Sequence, residues 1–288
     1  MRSKAASLRA AAASLLLVFV AGAQGQADAA NAAQGRRYEP PACSLRPTHA
    51  LAALEQARKE QSEGAADASM LPSAEPVENF AIARQRLLAY GECEQGSACY
   101  WADLDAQYRR AEDALKIATA HHRRGEKLAL VMDIDETSLT NYCEMRREDF
   151  GYIGSMFNTW VVSPEAAVAI PGGVRLFHRA KAAGVAVFFI TGRAGKPDPA
   201  STTHGADQTE ATARNLEAAG YHGWKGLQLR NGAENGMTTI AYKSTERQWI
   251  VDQGYRIVLS VGDQWSDLLG EPQAEVSVKL PNPFYFLP

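Results

Sequence analysis

The sequence predicts a doubly wound α/β fold with a parallel sheet, and three observations support it. Continuous apolar stretches alternate with stretches of helical periodicity through the second half of the 288-residue chain. The strongest apolar stretch, Leu128 to Met132, shows no polar alternation, so both faces of this strand should be covered, as in a parallel sheet. Two carboxylates, Asp133 and Asp135, follow it directly, at the sheet edge where α/β proteins bind ligands.

Residues 1–23 have the pattern of a signal peptide. Arg2, Lys4 and Arg9 precede an apolar run from Ala10 to Ala21, and small residues follow it. We expect export to the periplasm or out of the cell. An uncleaved anchor is the minor alternative, and no stable membrane anchor is expected because the run is short and rich in alanine. Loss of the three basic leader residues takes the formal charge from −3 to −6. Because no basic stripe remains, no nucleic-acid partner is expected.

Before the predicted sheet, the chain is expected to form an entry segment and a helical segment. Residues 24–41 are rich in Ala, Gln and Gly without periodicity, which is typical of a flexible segment. Residues 42–126 are expected to form an N-terminal helical segment. Apolar spacing there predicts three helices, at Thr48–Glu60, around Phe80–Leu88 and at Trp101–His122.

The core is expected to span residues 127–288, with a small cap inserted at about 141–170. The cap region is rich in aromatic residues and lacks sheet periodicity, and Ser163-Pro164 is expected to begin a short helix in it. The remaining elements follow in alternation: helix Val174–Ala183, strand Val185–Ile190, helix Asp207–Ala219, weak strand Leu227–Leu229, helix Ser244–Gln253, and strands Arg256–Val261 and Val276–Leu280.

The two aspartates after the first strand indicate a cation site. Asp133 and Asp135 are two residues apart, and like charges at that spacing repel unless a cation or a shared proton lies between them. Carboxylate oxygens are ligands that Mg²⁺ prefers. We therefore expect Mg²⁺ as the cofactor.

Four stretches together resemble the motifs of the haloacid dehalogenase (HAD) superfamily. Asp133 to Thr137 is similar to its nucleophile motif, Thr191-Gly192-Arg193 to its second motif, and Lys243 to the lysine of its third. Gly262 to Asp267 has the GDxxxD pattern of its fourth. All four occur in order at predicted strand ends or, for Lys243, at the predicted start of a helix.

Further residues narrow the resemblance to the acid phosphatase branch, which includes class B and class C enzymes and plant vegetative storage proteins. These residues are Tyr242-Lys243-Ser244, the stretch Gly262 to Leu268, and the tail Lys279 to Tyr285. The resemblance implies an acid phosphatase that hydrolyses small-molecule phosphate monoesters, with a nucleotide as one candidate. Phosphotransfer at the same site, or a non-catalytic storage or ligand-binding role, are the alternatives.

The resemblance also implies roles for individual residues in catalysis. Asp133 would attack phosphorus, and Asp135 would act as general acid and base. Thr191 and the backbone amide near Gly192 would hold the phosphoryl oxygens. Lys243 would neutralise their charge, and its expected place at a helix start, unfavourable for a cation, supports a ligand role.

The same resemblance implies a metal shell. Asp263 would complete a shell for Mg²⁺ with Asp133 and the backbone oxygen of Asp135, and Asp267, a further metal-site residue, would orient the shell or Lys243. Two alternatives stay open: Asp267 as a helix cap, and Arg193 as a structural ion-pair residue in place of a substrate-binding one. The sequence sets neither the natural substrate nor the oligomeric state.

Four cysteines in an exported chain suggest two disulfides, for which three connectivities exist. Cys93 and Cys99 flank a short loop that a bridge would close. Cys43 with Cys143 then remains, and this pairing is favoured. It would tie the N-terminal helices to the loop after the first strand.

Overall fold

The computed structural model describes residues 41, 43, 48–74, 76–197 and 206–287. The predicted signal peptide, and all but the last residue of the predicted entry segment, lie outside these residues. The described part of the chain belongs to one compact unit, Pro40–Pro288.

A five-stranded sheet lies at the centre of this unit, which confirms the predicted fold class. Its strands are β1 (Lys127–Met132), β2 (Ala186–Ala194), β3 (Gly226–Arg230), β4 (Tyr255–Gly262) and β5 (Val276–Lys279). The order is β3-β2-β1-β4-β5, and every neighbouring pair is parallel. Met132 is paired with Phe189 on one side and with Val261 on the other. The residues that follow these three positions therefore meet at one edge of the sheet.

Helices precede the sheet and connect its strands. Their bounds are α1 (Ala50–Ala66), α2 (Phe80–Gly91), α3 (Tyr100–Ala120), α4 (Tyr142–Arg147), α5 (Gly154–Val161), α6 (Pro171–Ala182), α7 (Thr209–Ala218) and α8 (Thr239–Asp252). Helices α4 and α5 occupy the region predicted as a cap, and Pro164–Ala166 forms a single 3₁₀ turn after them. Among the described residues, no helix combines the length and apolar character that a membrane crossing requires.

The two faces of the sheet are covered by different helices. Phe188 and Ile190 pack in a buried cluster with Tyr242 and Ile250 of α8. Phe189, which lies between them, points to the opposite face because side chains alternate along a strand, and there it stacks on Phe177 of α6. This double cover explains why β1 and β2 are apolar without alternation.

Several element boundaries differ from the prediction, among them those of α6 and β2. The helix predicted from Val174 begins at Pro171. Its first turn contains Gly172, where a Cβ would lie 2.3 Å from the ring of Tyr108, so glycine lets this turn approach α3. Strand β2 does not end at Ile190 but continues to Ala194, whose partner in β3 is Arg230. The second motif therefore lies inside the strand.

The predicted start of α8 is wrong in a way that affects the site. Thr238 caps the helix, and its hydroxyl accepts a hydrogen bond from the backbone N–H of Ala241. Lys243 consequently lies in the second turn, not at the helix start. The argument that a cation is unfavourable at that place does not apply to it.

Both favoured disulfides, Cys43–Cys143 and Cys93–Cys99, are formed. Glu94, in the loop that the short bridge closes, accepts hydrogen bonds from the first backbone N–H groups of α1, where a carboxylate suits the helix dipole. The long bridge joins the residues before α1 to α4.

Candidate active site

The first strand ends at a buried carboxylate with a fixed backbone. Asp133 donates its N–H to the carbonyl of Val261 in β4 (3.0 Å), and its own carbonyl accepts from the hydroxyl of Ser138 (2.6 Å). Its side chain is 8% exposed. Two hydrogen bonds thus fix the backbone from which this carboxylate extends.

Lys243 connects the carboxylates at this edge of the sheet. Its ammonium lies 2.5 Å from Asp133 and 2.7 Å from Asp267, and it donates a third hydrogen bond to the carbonyl of Ile190 (2.9 Å). All three donors are therefore satisfied in a site where the lysine side chain is 4% exposed. The two carboxylates raise the pKa of Lys243 against the opposing effect of burial, so the residue stays charged.

Asp263 completes a cluster of three buried carboxylates. Carboxylate oxygens of Asp133, Asp263 and Asp267 all lie within 4.8 Å of one another. Burial, and next the charge of Asp267, raise the pKa of Asp263 to about 7. Burial likewise raises the pKa of Asp133, despite the opposing charge of Lys243. Three carboxylates beside one ammonium leave an excess of negative charge.

This donor set fits a hard divalent cation. It offers only oxygen ligands, as Mg²⁺ prefers, and the crowding of like charges is the cost that a cation would relieve. Asp263 is oriented by Thr137, whose hydroxyl donates to it (3.1 Å), and by the side-chain amides of Gln264 and Asn282 (2.7 Å each). Such partners fix the direction of a metal ligand.

Asp135 lies outside that cluster and has its own partners. The guanidinium of Arg193 reaches both of its carboxylate oxygens, at 2.7 Å and 3.1 Å, and the side-chain amide of Asn141 donates to one of them at 2.8 Å. Burial would raise the pKa of Asp135, but Arg193 and then Asn141 hold it below its usual range. The side chain of Asp135 is 17% exposed, more than twice as open as Asp133.

Arg193 is therefore engaged in an ion pair in this structure. It also donates to the hydroxyl of Thr212 (3.2 Å) and to the carbonyl of Val161 (3.4 Å). This geometry matches the structural alternative considered for Arg193. A direct role in substrate binding stays a prediction.

The second motif lies beside this group. Thr191 is buried, and its hydroxyl accepts from the N–H of Arg193 (3.2 Å). Gly192 is exposed, and a Cβ added there would meet no atom within 4 Å. No contact within the described residues explains a glycine at this position.

Several residues that complete the site have no role predicted from the sequence. Glu136 is fully buried with φ +50°, and it accepts hydrogen bonds from the backbone N–H of Asn141 (2.5 Å) and from the hydroxyl of Tyr285 (2.9 Å). Burial, and next the charge of Asp135, raise the pKa of Glu136 to about 7. The tail thereby contacts the loop after β1.

Arg247 is a further residue whose role was not predicted from the sequence. It is 1% exposed, and its guanidinium donates to backbone carbonyls of the loop that follows the fourth motif, among them Asp267 (2.8 Å) and Pro272 (2.7 Å). Arg247 lies four residues after Lys243, hence on the same face of α8. The spacing of four residues from Lys243 is the sequence pattern from which a place for Arg247 near the site could have been predicted.

Comparisons with known proteins identify the family of this chain. A family profile described as HAD superfamily, subfamily IIIB (Acid phosphatase), matches residues 52–288. Acid phosphatase 1 of Solanum lycopersicum is 36% identical over 160 residues, which are 54% of this chain and 58% of that protein. Vegetative storage protein 1 of Arabidopsis thaliana is 31% identical over 162 residues, 55% of each. The chain thus matches little more than half the length of these curated relatives.

A solved structure shows the likeness of fold. The class C acid phosphatase from Bacillus anthracis matches with a TM-score of 0.51 and 24% identity, over 70% of this chain and 86% of that one. Together with the profile, which covers most of the sequence, these findings confirm the resemblance. The chain belongs to the acid phosphatase family, subfamily IIIB of the HAD superfamily.

Proposed function

We propose that this protein is an exported Mg²⁺-dependent acid phosphatase that hydrolyses small-molecule phosphate monoesters through a phospho-aspartyl intermediate. The observation that carries the proposal is the meeting of Asp133, Lys243, Asp263 and Asp267 at one edge of the sheet, with Asp135 beside them. Export is supported by the leader pattern and by two disulfides, which persist in oxidising compartments.

The first half of the proposed reaction transfers the phosphoryl group to the protein. A carboxylate oxygen of Asp133 attacks phosphorus, and the bond from phosphorus to the ester oxygen breaks. Asp135, which must first take up a proton against the effect of its ion pair with Arg193, gives this proton to that oxygen, so the alcohol leaves as a neutral molecule. Lys243 balances the charge on the phosphoryl oxygens, while Thr191 and the open backbone at Gly192 receive them.

The second half restores the protein. Water attacks phosphorus of the acyl phosphate, the bond from phosphorus to the Asp133 oxygen breaks, and the water gives its proton to Asp135, now ionised. Inorganic phosphate departs, and the carboxylate of Asp133 is free again. Asp133, Asp263 and the backbone oxygen of Asp135 would hold Mg²⁺, with Asp267 beside them, and the bound ion supplies further neutralisation of phosphoryl charge.

The two aspartates of the first motif have different roles, so two substitutions test the mechanism. With Asp133→Asn no phospho-enzyme forms from any ester. With Asp135→Asn, alkyl esters fail because their leaving oxygen needs a proton, whereas an aryl ester whose phenolate leaves unaided still phosphorylates Asp133. The acyl phosphate then accumulates because water lacks its base. Rapid acid quench with a labelled aryl phosphate measures both outcomes. Stable label on the Asp133→Asn protein, or equal alkyl and aryl turnover by Asp135→Asn, would contradict the assignment.

The metal requirement has a test that is independent of activity. A ligand that binds only the folded protein raises its unfolding temperature. We expect Mg²⁺ to raise the Tm of the chelator-treated wild type and to restore its activity, and to leave the Tm of Asp263→Asn unchanged. Full activity in metal-free protein would contradict the proposal.

A storage or ligand-binding role is the second candidate, because a relative of the chain is a vegetative storage protein. Phosphotransfer to an alcohol acceptor is the enzymatic alternative. A chromogenic phosphate ester, assayed with and without chelator, separates a binding protein from an enzyme. Repeating the assay with added alcohol and measuring the phosphorylated alcohol separates transfer from hydrolysis.

A further inference from the structure

Asn141 links Asp135 to the cap region. Its side-chain N–H₂ donates to Asp135 (2.8 Å) and to Glu136 (3.2 Å), and its side-chain oxygen accepts from the indole N–H of Trp160 in α5 (2.9 Å). Asn141 is fully buried, and Trp160 is 8% exposed. The contacts of Asn141 with Trp160 and with Asp135 form a continuous chain from α5 to Asp135.

The chemistry of the indole fixes the direction of that chain. A tryptophan N–H can only donate, so the end of the Asn141 amide that meets it must be the oxygen. The N–H₂ end is then directed at Asp135. If the amide were reversed, its oxygen would face a carboxylate oxygen, and no hydrogen bond would form between them.

The end of α5 also meets the second partner of Asp135. The carbonyl of Val161, next to Trp160, accepts from the guanidinium of Arg193 (3.4 Å) and from the side-chain amide of Asn215 (3.1 Å). One oxygen of Asp135 thus receives hydrogen bonds from both Asn141 and Arg193, at 2.8 Å and 2.7 Å. The other oxygen has the single contact with Arg193 at 3.1 Å, which makes it the less occupied of the two.

We infer that Trp160 is a positioning residue: its indole N–H orients the amide of Asn141, which in turn turns the less occupied oxygen of Asp135 toward the leaving group. The inference rests on the proposed function, in which Asp135 is the general acid. It gives the cap region a part in proton delivery. Nothing in this role requires Trp160 to touch the substrate.

The test uses Trp160→Phe, which keeps an aromatic ring and removes the N–H. Trp101→Phe is the matched control: Trp101 is 7% exposed, and its indole N–H also makes one buried hydrogen bond, to the carbonyl of Gly91 (2.8 Å). The kcat/KM is measured for an alkyl and an aryl phosphate. General acid catalysis contributes on the order of a hundredfold or more, so partial misplacement of the acid should cost the alkyl ester about tenfold relative to the aryl ester. The control should leave the ratio unchanged.

A double-mutant cycle examines whether Trp160 acts through Asn141. Asn141→Ala should lower the alkyl-to-aryl ratio at least as much as Trp160→Phe, and the double variant should equal Asn141→Ala alone, because the indole then has no amide to orient. Additive effects would overturn the inference. So would an unchanged ratio in Asn141→Ala, which is measurable even if Trp160→Phe does not fold.

The same data separate this inference from the proposed function. If the wild type hydrolyses both esters through phosphorylated Asp133 but the variants keep its ratio, the inference fails and the proposed function stands. If the wild type hydrolyses neither ester, both fail.

Discussion

Lys243 is the residue on which the charge balance of the site depends. It touches Asp133 and Asp267 and lies in the cluster that Asp263 completes. A lysine so deeply buried survives as a cation only because two carboxylates face it. The same contacts that stabilise its charge in the free protein leave it beside the atom that would attack phosphorus.

Replacing Lys243 by Met should lower kcat by about a hundredfold or more, because one stabiliser of transition-state charge is lost. It should also lower the free energy of unfolding by about 3–5 kcal/mol, the usual cost of leaving a buried charge unpaired. Steady-state kinetics well below the unfolding temperature, and urea titration, measure the two effects.

The control for this change is Lys59→Met. Lys59 lies on α1 with its side chain 67% exposed, and its ion pair with Glu63 spans 3.8 Å. Exposed pairs contribute little, so both quantities should stay near those of the wild type. A near-normal kcat in Lys243→Met would remove this lysine from the proposed machinery.

The site residues were predictable to different degrees, for physical reasons. Asp133 and Asp263 follow apolar strands. A strand that is covered on both faces appears in the sequence as a continuous apolar run, so its end is visible where the run stops. The partner of Arg193 was not visible. Its ion pair with Asp135 crosses 58 residues of sequence, and only the packing of β2 against β1 decides it.

Helix α8 is the element that carries most of the site's positive charge. Its residues Lys243 and Arg247 are four apart and lie on the same face of the helix. Lys243 neutralises the carboxylate of Asp267, and Arg247 donates to the backbone carbonyl of the same residue. Tyr242 on the same helix donates its hydroxyl to the carbonyl of Thr191 (3.0 Å). The helix thereby connects the second, third and fourth motifs.

Elsewhere on α8, Glu246 gives a prediction for stability against pH. Burial, and next a hydrogen bond with Glu234, raise the pKa of Glu246 from 4.5 to about 7. A folded-state pKa above the unfolded one means that the folded protein holds the extra proton between these values. The resulting stability is complete below about pH 4.5 and is lost as pH rises through about 7.

Glu246→Gln keeps a hydrogen-bond donor toward Glu234 but does not titrate. The Tm of this variant should therefore fall less than that of the wild type between pH 4.5 and pH 7. Glu217→Gln, at an exposed position of α7, serves as control and should follow the wild type. Parallel Tm curves for Glu246→Gln and wild type would show that the pKa of Glu246 is not raised in the folded protein.

The boundaries of α8 illustrate what sequence patterns miss in an element. The prediction placed its start at Ser244, whereas the helix begins at Thr239 after the cap Thr238. Two adjacent threonines offered two caps, and β-branched Thr and Ile residues weaken the helical signal in the first turn. The strands were easier to predict than this helix, because a short, continuous apolar run in an α/β protein is typical of a strand that is buried on both faces.

In the whole molecule, the site draws on parts of the chain that are far apart. The order of strands and helices predicted that the motifs would meet, since parallel strands present their carboxyl ends at one edge. The Cys43–Cys143 bridge, which ties the residues before α1 to α4, was expected from the cysteines of the sequence. The ion pair of Arg146 in α4 with Glu92 at the end of α2 (2.8 Å) was not predicted. Such contacts depend on packing and leave no periodic signal.

The Cys43–Cys143 bridge should be the larger contributor to global stability of the two disulfides. It closes a loop of sequence separation 100, against 6 for Cys93–Cys99. In the chain-entropy account, loss of the long bridge costs about 4–5 kcal/mol and loss of the short one about 2 kcal/mol.

Urea titration of the Cys43→Ser/Cys143→Ser and Cys93→Ser/Cys99→Ser proteins measures these costs. Wild type in reductant is the reference with both bridges open. Equal losses in the two variants would show that loop length does not govern the effect.

The contact between Glu136 and Tyr285 has a consequence for biosynthesis. The two residues are 149 positions apart, so at about 5–20 residues per second the ribosome makes Tyr285 roughly 7–30 seconds after Glu136. During that interval the loop beside Asp135 lacks the hydroxyl that holds the buried Glu136. A nascent chain can therefore pair β1 with β2 well before the hydroxyl that orders the loop after β1 has been made, and Glu136 has to wait for Tyr285 to gain this hydrogen bond.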